Sequence, residues 1–591
     1  MTQEDHNIII GIDLGTTNSE VALVRNGKMD VLEIENGHKQ LPSYVGLDDQ
    51  GALLIGEAAK NQYSLYPERT IKSIKRKMGE DIQLQLGEQH YSPQEISAMI
   101  LRRLKQIAEK ACGEKIERAV ITVPAFFSDA QRQATRDAGE IAGLKVDRII
   151  NEPTAGALAY EANSKDSKII LIYDLGGGTF DVSVVRTHEG IVEVLSSHGN
   201  NSLGGDDFDQ KIIHYICQHI QDTNQVDVKT SAQALSRITH AAEKAKIALS
   251  LEAYCQIEEE YLLEHNGNPV HLSLELSRND YEELINPFVD ETLEAIHIAL
   301  NDAKLQVSDL SEVFLVGGST KTPLVQKRLE ADLGIQPRWS VDPDLCVAMG
   351  AAIQAGMISG ESVSSILVDI TPYTYGISTL TERDGFPFPH FFVPLIKKNT
   401  PLPVTYTDTF ETSYDYQDAV KINVYQGEHE NALENTEIGL FTVKDLAKVP
   451  RGDIILVTFS LDINGLLNVT AQEKKTGLEK SLIIKNVISR FEEAEIQQAK
   501  ETLKRLMESD DFSETVDDSK TETRERVKAK VLLEKTEQLL IKLDEDDKED
   551  TEELIKNMKK ALKNNDSKAL EEAINEMTDL LYYLSPNEAL S

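Results

Sequence analysis

The sequence predicts a multidomain chain with a mixed α/β part first, an antiparallel β-sandwich next and a charged α-helical part last. Three observations carry that reading. Strand-like apolar runs alternate with helical patterns as far as about residue 360, strands and turns alternate alone to about 487, and from about 490 the periodicity is helical and the residues are mostly charged. The 591 residues agree, since they would fill roughly three or four ordinary domains.

In the first part, NIIIGID, AVITVP, KIILIYD and EVFLVGG are short β runs ending in Gly, Pro or Asp. Between them SDAQRQATRDAGEIAGL reads as a helix: Ser128 with Gln131 three residues on makes a capping box, and Gly143 closes it. Near residue 364 the texture changes at SSILVDITP, whose apolar core Ile366-Leu367-Val368 runs on into Pro372. AVKINVYQG then sets Val420, Ile422 and Val424 on one face. Ile455, Val457 and Phe459 repeat the pattern before a turn at Asn464-Gly465, the strongest short hairpin signal. In the last part Ile496, Ala499, Leu503 and Leu506 form one apolar stripe, and Leu570, Ala573, Met577 and Leu584 another. They predict a small helical bundle with a solvated face, its first helix set apart by the acidic run MESDDFSETVDDSK.

The charge balance is acidic, 61 Lys and Arg against 99 Asp and Glu, for a net charge of -38. Such a surface repels nucleic acid and anionic lipid, so neither is an expected partner. The four cysteines, Cys112, Cys217, Cys255 and Cys346, form no CxxC pair, which argues against a zinc site or a disulfide framework and for a reducing compartment. MTQEDHN has no signal-peptide core, and no apolar run is long enough to span a membrane. The cytoplasm is the expected location.

Two segments look like copies of each other. Ile12-Asp13-Leu14-Gly15-Thr16-Thr17-Asn18 and Tyr173-Asp174-Leu175-Gly176-Gly177-Gly178-Thr179 each follow a β run and lead into another. A strand-end aspartate can hold a divalent cation through water, and the Gly and Thr amides after it can approach phosphate oxygens unobstructed. Two such turns face to face would clamp a polyphosphate. A third glycine pair, Gly317-Gly318, follows EVFLV. Neither GGSTKT nor LGGGTFD has the spacing of a Walker loop or a dinucleotide fingerprint.

These segments, with ITVPAFFSDAQRQATRDAGEIAGL, RIINEPTAGALAY, GGDDFD, AAEKAKIALS, VGGSTKTP and QPRWSVDPDLCVAMGAA, resemble the signature blocks of the seventy-kilodalton heat-shock (DnaK) chaperone family, in family order. The resemblance runs through the β part to about residue 487 and more loosely beyond. It implies an actin-like, two-lobed ATPase domain over 1–362, an interdomain linker at 363–369, a β-sandwich that binds peptide at 370–487 and a helical lid at 488–591. The implied activity is hydrolysis of ATP to ADP and phosphate, coupled to lid closure over exposed hydrophobic segments of unfolded proteins. The implied setting is protein folding and the stress response.

Carried over residue by residue, the resemblance implies that Asp13, Asp174 and Asp181 hold magnesium, mostly through water. Lys75 would reach the γ-phosphate, Glu152 would orient or deprotonate the attacking water, and Thr179 would bond the γ-phosphate. Gly15, Thr16, Thr17, Asn18, Gly176, Gly177, Gly178, Gly317 and Ser319 would line the phosphates. Glu243, Lys246 and Ser250 would hold the adenosine, with Gly318 and Arg338 opposite and Asp344 beside them. The next residue, Leu345, stands where the family usually has Glu. Pro124 and Arg132 would relay from Glu152 to the domain interface. Ile366, Leu367, Val368 and Asp369 match the linker, although Ser364 and Ser365 replace its acidic and apolar start.

In the sandwich, Phe410, Val420, Ile422 and Ile455 fall where the family builds its peptide pocket, and a plain core role fits them equally. Leu380 and Ser413 would arch over the peptide, and Arg451 would latch to the lid. The loop TERDGFPFPHFFVPLIKK is longer than the common family length and is expected to narrow peptide preference. With the DINGLL turn it resembles the divergent bacterial HscC-like subfamily. Implied partners are extended hydrophobic polypeptides, a J-domain co-chaperone touching Arg148, and a nucleotide exchange factor. Two other readings are a structural or small-molecule kinase member of the actin superfamily and a regulatory relative that hardly turns over. The linker and β part argue against the first; Asp13, Lys75, Glu152, Asp174 and Thr179 argue against the second.

Overall fold

The computed structural model describes residues 8–483 apart from 26, 36, 162–165, 267, 340, 362–365 and 384, and beyond them 491, 493–508, 529, 532, 533, 536, 540, 545–564 and 567–584. Ser364 and Ser365, the expected boundary at 487, the acidic run from Ser509 and the terminal NEALS lie outside the described residues.

Two sheets organise the first 368 residues, and they are built alike. In one, Lys145–Asn151, Arg118–Val123 and Ile9–Asp13 run parallel, and Asn18–Arg25 and Lys28–Val31 follow Ile9–Asp13 as an antiparallel meander. In the other, Glu312–Val316 runs parallel to Lys168–Leu175, and Phe180–His188 and Ile191–Asn200 form the meander. Strands buried on both faces read as nearly continuous apolar runs, which is why NIIIGID and KIILIYD show no alternation. Helices cover the sheets. Pro93–Cys112 and Asp129–Ile141 both start at complete capping boxes, Ser92 with Glu95 and Ser128 with Gln131.

Ile366-Leu367-Val368, which the resemblance matches to the interdomain linker, forms the fifth strand of the second sheet. Ile191, Val192 and Glu193 pair in register with these three residues, and the Ile366 amide donates to the Gly190 carbonyl at 2.9 Å. An apolar triplet with high β-propensity lies on an open sheet edge and satisfies both its backbone and that edge.

Two four-stranded antiparallel sheets follow. Their strand orders are Phe386–Ile396, Tyr375–Arg383, Ala419–Gln426, Thr436–Lys444 and Val404–Glu411, Ile454–Leu461, Leu467–Glu473, Glu479–Ile483. Inward residues of both sheets make one core around Tyr375, Ile377, Val424, Val457, Phe459 and Val469, as a sandwich requires. The Asn464-Gly465 turn forms as expected: Asp462 Oδ1 accepts from the Asn464 and Leu466 amides at 2.8 and 2.9 Å, and Gly465 takes φ 75°. The long Phe- and Pro-rich loop is not irregular. It extends the hairpin of Tyr375–Arg383 with Phe386–Ile396, a bulge between Thr379 and Thr381 leaves Leu380 outside the regular pairing, and Phe386 near the tip is 74% exposed.

The C-terminal helices divide. Glu545–Asn564 and Ser567–Leu584 pack together around Ile555, Met558, Leu570, Ala573 and Met577, as the second stripe predicts; the Leu584 side chain lies outside the described residues. The first helix, Glu493–Glu508, corrects the expectation of a single bundle. Its Ile496, Ala499, Leu503 and Met507 join the core of the first lobe, against the helices Pro93–Cys112 and Asp129–Ile141. A stripe states that a face must be buried; it does not state against what.

Candidate active site

The two copied turns face each other. Each joins the first two strands of its meander, so sheet duplication alone brings Asp13 and Asp174 to corresponding strand ends. A β-carbon on Gly177 would collide with Thr17 Oγ1, and one on Gly178 would lie 2.6 Å from Thr16 Cγ2 and 2.7 Å from Arg76 Nε. Glycine is thus required for the second turn to approach the first. Gly15 donates its amide to Ser19 Oγ at 3.2 Å, Gly176 donates to the Thr179 carbonyl at 3.1 Å, and Gly317 donates to the Pro343 carbonyl at 2.9 Å. Ser319 Oγ donates to the Gly176 carbonyl at 2.9 Å, which ties the third glycine segment to the second turn.

Between the turns lies a buried charge cluster. Lys75, 3% exposed, pairs with Glu152, 7% exposed. Asp13 Oδ1 accepts from Thr122 Oγ1 at 2.7 Å, and Asp181 accepts the Ala125 and Phe126 amides at 3.2 Å each. Burial pushes all four carboxyls, Asp13, Glu152, Asp174 and Asp181, above their ordinary range; Asp181 reaches about 6 even with its amide bonds. Burial acts against the charge of Lys75 too, but Glu152 and Asp13 outweigh it and hold the ammonium protonated. Lys75 thus stands among four carboxyls whose charged forms burial disfavours and a bound cation would favour. Asp174 Oδ2 and Thr16 Oγ1 are buried there without a hydrogen-bond partner.

These features fit a hard divalent cation bound together with phosphates. Among the described residues no three His, Cys, Asp or Glu groups converge closely enough to ligate one ion directly.

The expected adenosine residues fall on the far side of the cleft. Glu243, Lys246 and Ser250 lie on one helix, Ala232–Leu251, but the first two do not pair with each other. Glu243 takes Lys60 of the opposite lobe at 2.9 Å, Lys246 takes Asp209 at 2.8 Å, and Ser250 Oγ donates to the Lys246 carbonyl at 3.2 Å. A β-carbon on Gly205 would come within 2.6 Å of Ser319 Oγ and 3.1 Å of Lys246 Nζ, and one on Gly318 within 2.6 Å of Asp344 Oδ1, so these groups share one cradle. Arg338 does not join it. It pairs with Glu312 at 2.5 Å and lies 5.3 Å over the Phe314 ring, at the opposite end of the Glu312–Val316 strand from Gly317 and Gly318. The cation beside Asp344 is Lys321, at 2.5 Å, a residue the sequence reading passed over in GGSTKT.

A hydrogen-bonded chain leads from this site to the β part. Arg132 donates to the Ala125 carbonyl at 3.0 Å, the Phe127 carbonyl at 3.2 Å, Asn151 Oδ1 at 2.6 Å and the Asn464 carbonyl at 3.5 Å. Asn151, next to Glu152, donates to Asp369 Oδ1 at 2.9 Å. The Ile149 amide donates to Asn464 Oδ1 at 2.9 Å, and the Leu467 amide donates to Asp129 Oδ1 at 3.0 Å. Pro124 is buried in the same stretch, its carbonyl accepting from the Phe127 amide at 3.1 Å. Arg148 turns inward, donating to Gln354 Oε1 at 2.7 Å and feeling the Asp369 charge. The Asn464-Gly465 turn thus docks on the residues expected to relay.

A second set of contacts lies beside the first. Tyr373 Oη donates to the Phe126 carbonyl at 2.7 Å, the Phe126 ring meets Tyr373 and His198 edge-on, and Lys398 pairs with Asp302 at 2.8 Å. Burial and the Lys398 charge depress His198, against Asp302 and Glu294, which favour its protonation. The acids belong to its own lobe, and Lys398 arrives with the β part. Protonation therefore opposes the contact: it is at full strength above the ordinary value near 6.5 and weakens as pH falls below it. The protection of the amides over Thr371–Gly376, taken as exchange relative to its intrinsic base-catalysed rate, should fall between pH 7.5 and 5.5, and His198→Gln should flatten that dependence; a profile identical in both proteins would refute the assignment.

Of the expected peptide residues, Ile422 and Ile455 are 3% and 1% exposed and belong to the sandwich core. Phe410, the cross-strand partner of Ile455, and Val420 are half-buried at its edge. Leu380 is 57% exposed, and the Ser413 amide donates to Gln417 Oε1 at 2.9 Å. The Arg451 amide donates to Asp415 Oδ1 at 2.9 Å, and among the described residues its exposed side chain has no bond to the C-terminal helices. All four cysteines are free, and no helix among the described residues is long and apolar enough to cross a membrane. In a comparison with known families, the model described as Hsp70 protein matches residues 9–86 and 80–587.

Proposed function

Because the chain belongs to the Hsp70 protein family, whose members are ATP-hydrolysing chaperones, we propose that it binds and releases extended hydrophobic polypeptides in step with ATP hydrolysis at the paired turns. The observation that carries this reading is that Asn151, the residue before Glu152 in the chain, is hydrogen-bonded to Arg132 and Asp369, and Arg132 in turn to the Asn464 turn. A site that only hydrolysed ATP would have no need of these bonds.

In the proposed reaction the Gly15–Asn18 and Gly176–Thr179 amides hold the phosphates, and Thr179 bonds the terminal one. The Lys75 ammonium stabilises charge on the transferring phosphoryl group, and Glu152 orients or deprotonates the attacking water. A magnesium ion held by the three aspartates supplies further charge neutralisation when bound. Glu243, Lys246, Ser250, Gly318 and Asp344 take the nucleoside end. Residues 1–362 serve as the ATPase, 363–369 as the connection, 370–487 as the peptide-binding sandwich and 488–591 as a lid that closes once ATP is spent. The half-buried edge at Phe410 and Val420, with Leu380 and Ser413 outside it, meets the peptide. A J-domain co-chaperone and an exchange factor complete the cycle, in the cytoplasm. HscC-like specialisation rests on the extended hairpin at Leu380–Phe388.

The test is ATP turnover with and without a hydrophobic heptapeptide and a J-domain protein. Stimulation by both is expected, and a shortened hairpin should broaden the set of peptides that stimulate. Turnover indifferent to peptide, with phosphate passed to a sugar, would replace this reading by a kinase.

A further inference from the structure

Two features of the cleft have no role in the reaction as described. The first is Ser73, which holds φ 52° and ψ 32°, a left-handed conformation uncommon for a residue with a β-carbon. The second is Arg76, one residue beyond Lys75, whose guanidinium crosses to the other lobe. There its Nε donates to the Gly178 carbonyl at 3.1 Å, and its two terminal nitrogens fork onto the Asp207 carboxylate. Ser73 crosses as well, its hydroxyl donating to Asp206 Oδ2 at 2.7 Å.

Asp206 and Asp207 open the helix Gly205–Asn224, and that helix is itself bound to the second phosphate turn: the Gly205 and Asp206 amides donate to the Gly176 and Gly177 carbonyls at 2.9 and 2.7 Å. The short helical turn Ile74–Lys77 that carries Lys75 is therefore gripped at both ends by the opposite lobe. The backbone strain at Ser73 fits this grip, because the left-handed step turns its hydroxyl toward Asp206. Gly178 must lack a β-carbon for Arg76 to fit.

We propose that Arg76, aided by Ser73, is a positioning residue: it fixes the Lys75 ammonium relative to the second phosphate turn, and does so only while the two lobes are closed on each other. Lys75 belongs to the first lobe and the Gly176–Thr179 amides to the second, so no bond within either lobe can set their separation. The guanidinium fork can, because it is planar, keeps its charge and bonds two groups in fixed directions. Hydrolysis would then be slow whenever the lobes gape, even with ATP bound.

The inference rests on the proposed ATPase reading, and the experiment separates the two: a wild-type chain with no ATP turnover sinks that reading, whereas the variants below test only this one. Arg76→Met should slow single-turnover hydrolysis about tenfold or more, the scale expected when a catalytic group is misplaced by a fraction of an ångström to an ångström. ATP affinity should stay within about threefold, since the guanidinium is already taken up by the Gly178 carbonyl and the Asp207 carboxylate. Arg76→Lys should not restore the rate, and added guanidinium should partly restore it in Arg76→Ala. Asp207→Asn should give a similar loss, and the double variant no more than either single one. Ser73→Gly, which keeps the backbone conformation and drops the hydroxyl, should lose a smaller factor. Wild-type hydrolysis in Arg76→Met, or losses that multiply in the double variant, would overturn the proposal. Should Arg76→Met fail to fold, the isosteric Asp207→Asn decides the matter alone.

Discussion

Lys75→Met lowers single-turnover ATP hydrolysis by roughly a hundredfold to a thousandfold, the range found when one preorganised electrostatic group is removed from a transition state, and leaves ATP binding largely intact. The side chain is a buried cation paired with Glu152 and close to Asp13 and Asp174, and methionine brings no charge to that place. The substitution has a second effect. Breaking a buried ion pair from one side costs about 3–5 kcal/mol, because the remaining partner stays desolvated and alone. Burial already pushes the Glu152 carboxyl upward, so it takes up a proton and part of that cost is relieved. The double variant Lys75→Met, Glu152→Gln should accordingly recover thermal stability and recover no activity. A Lys75→Met protein that hydrolyses within about threefold of wild type would remove the charge cluster from the mechanism.

The second large effect lies far from the nucleotide. Phe459 is completely buried in the sandwich core and faces Tyr406 and Val469 across its two neighbouring strands. Phe459→Ala should cost about 3–5 kcal/mol from lost burial and the cavity left behind. Domains of this size have about 5–15 kcal/mol in all, so the sandwich should melt at a much lower temperature than the first 368 residues. Calorimetry would then show an early transition moving down and a late one unmoved. Basal ATP turnover should persist and peptide stimulation should vanish. Loss of both together would mean that the first lobes cannot hold their shape without the sandwich docked.

Much of this was legible in the sequence, and the failures have a common cause. The twin turns, the Ser128 capping box and the Asn464-Gly465 hairpin are local: a few adjacent residues decide them, so a few adjacent letters reveal them. The family blocks then placed Lys75 and Glu152 together although they are 77 positions apart, which no periodicity could do. What stayed hidden depends on where elements meet. Arg338 is expected at the nucleoside end, but its side chain pairs with Glu312 at the far end of the Glu312–Val316 strand, and Lys321 stands beside Asp344 instead. Ser73 carries no mark of a left-handed backbone. The stripe on Glu493–Glu508 gave the face to be buried and not its partner, which is the first lobe. Ile366-Leu367-Val368 is matched to a linker by the family resemblance alone, and no local letter shows that it pairs as a strand with the edge of Ile191–Asn200.

The bonding of Arg132 bears on how often the sandwich can come and go. Three of its four acceptors belong to the α/β part, and only the Asn464 carbonyl arrives from outside, at the longest distance of the four. When that turn lifts away, the guanidinium stays anchored in place, and the Ile149 amide can take a water where Asn464 Oδ1 had been. The Arg132 charge is therefore not stranded by the departure. This part of the seam works like a press-stud: it fixes one seating precisely enough to be recognised, yet it opens with little memory of having been shut.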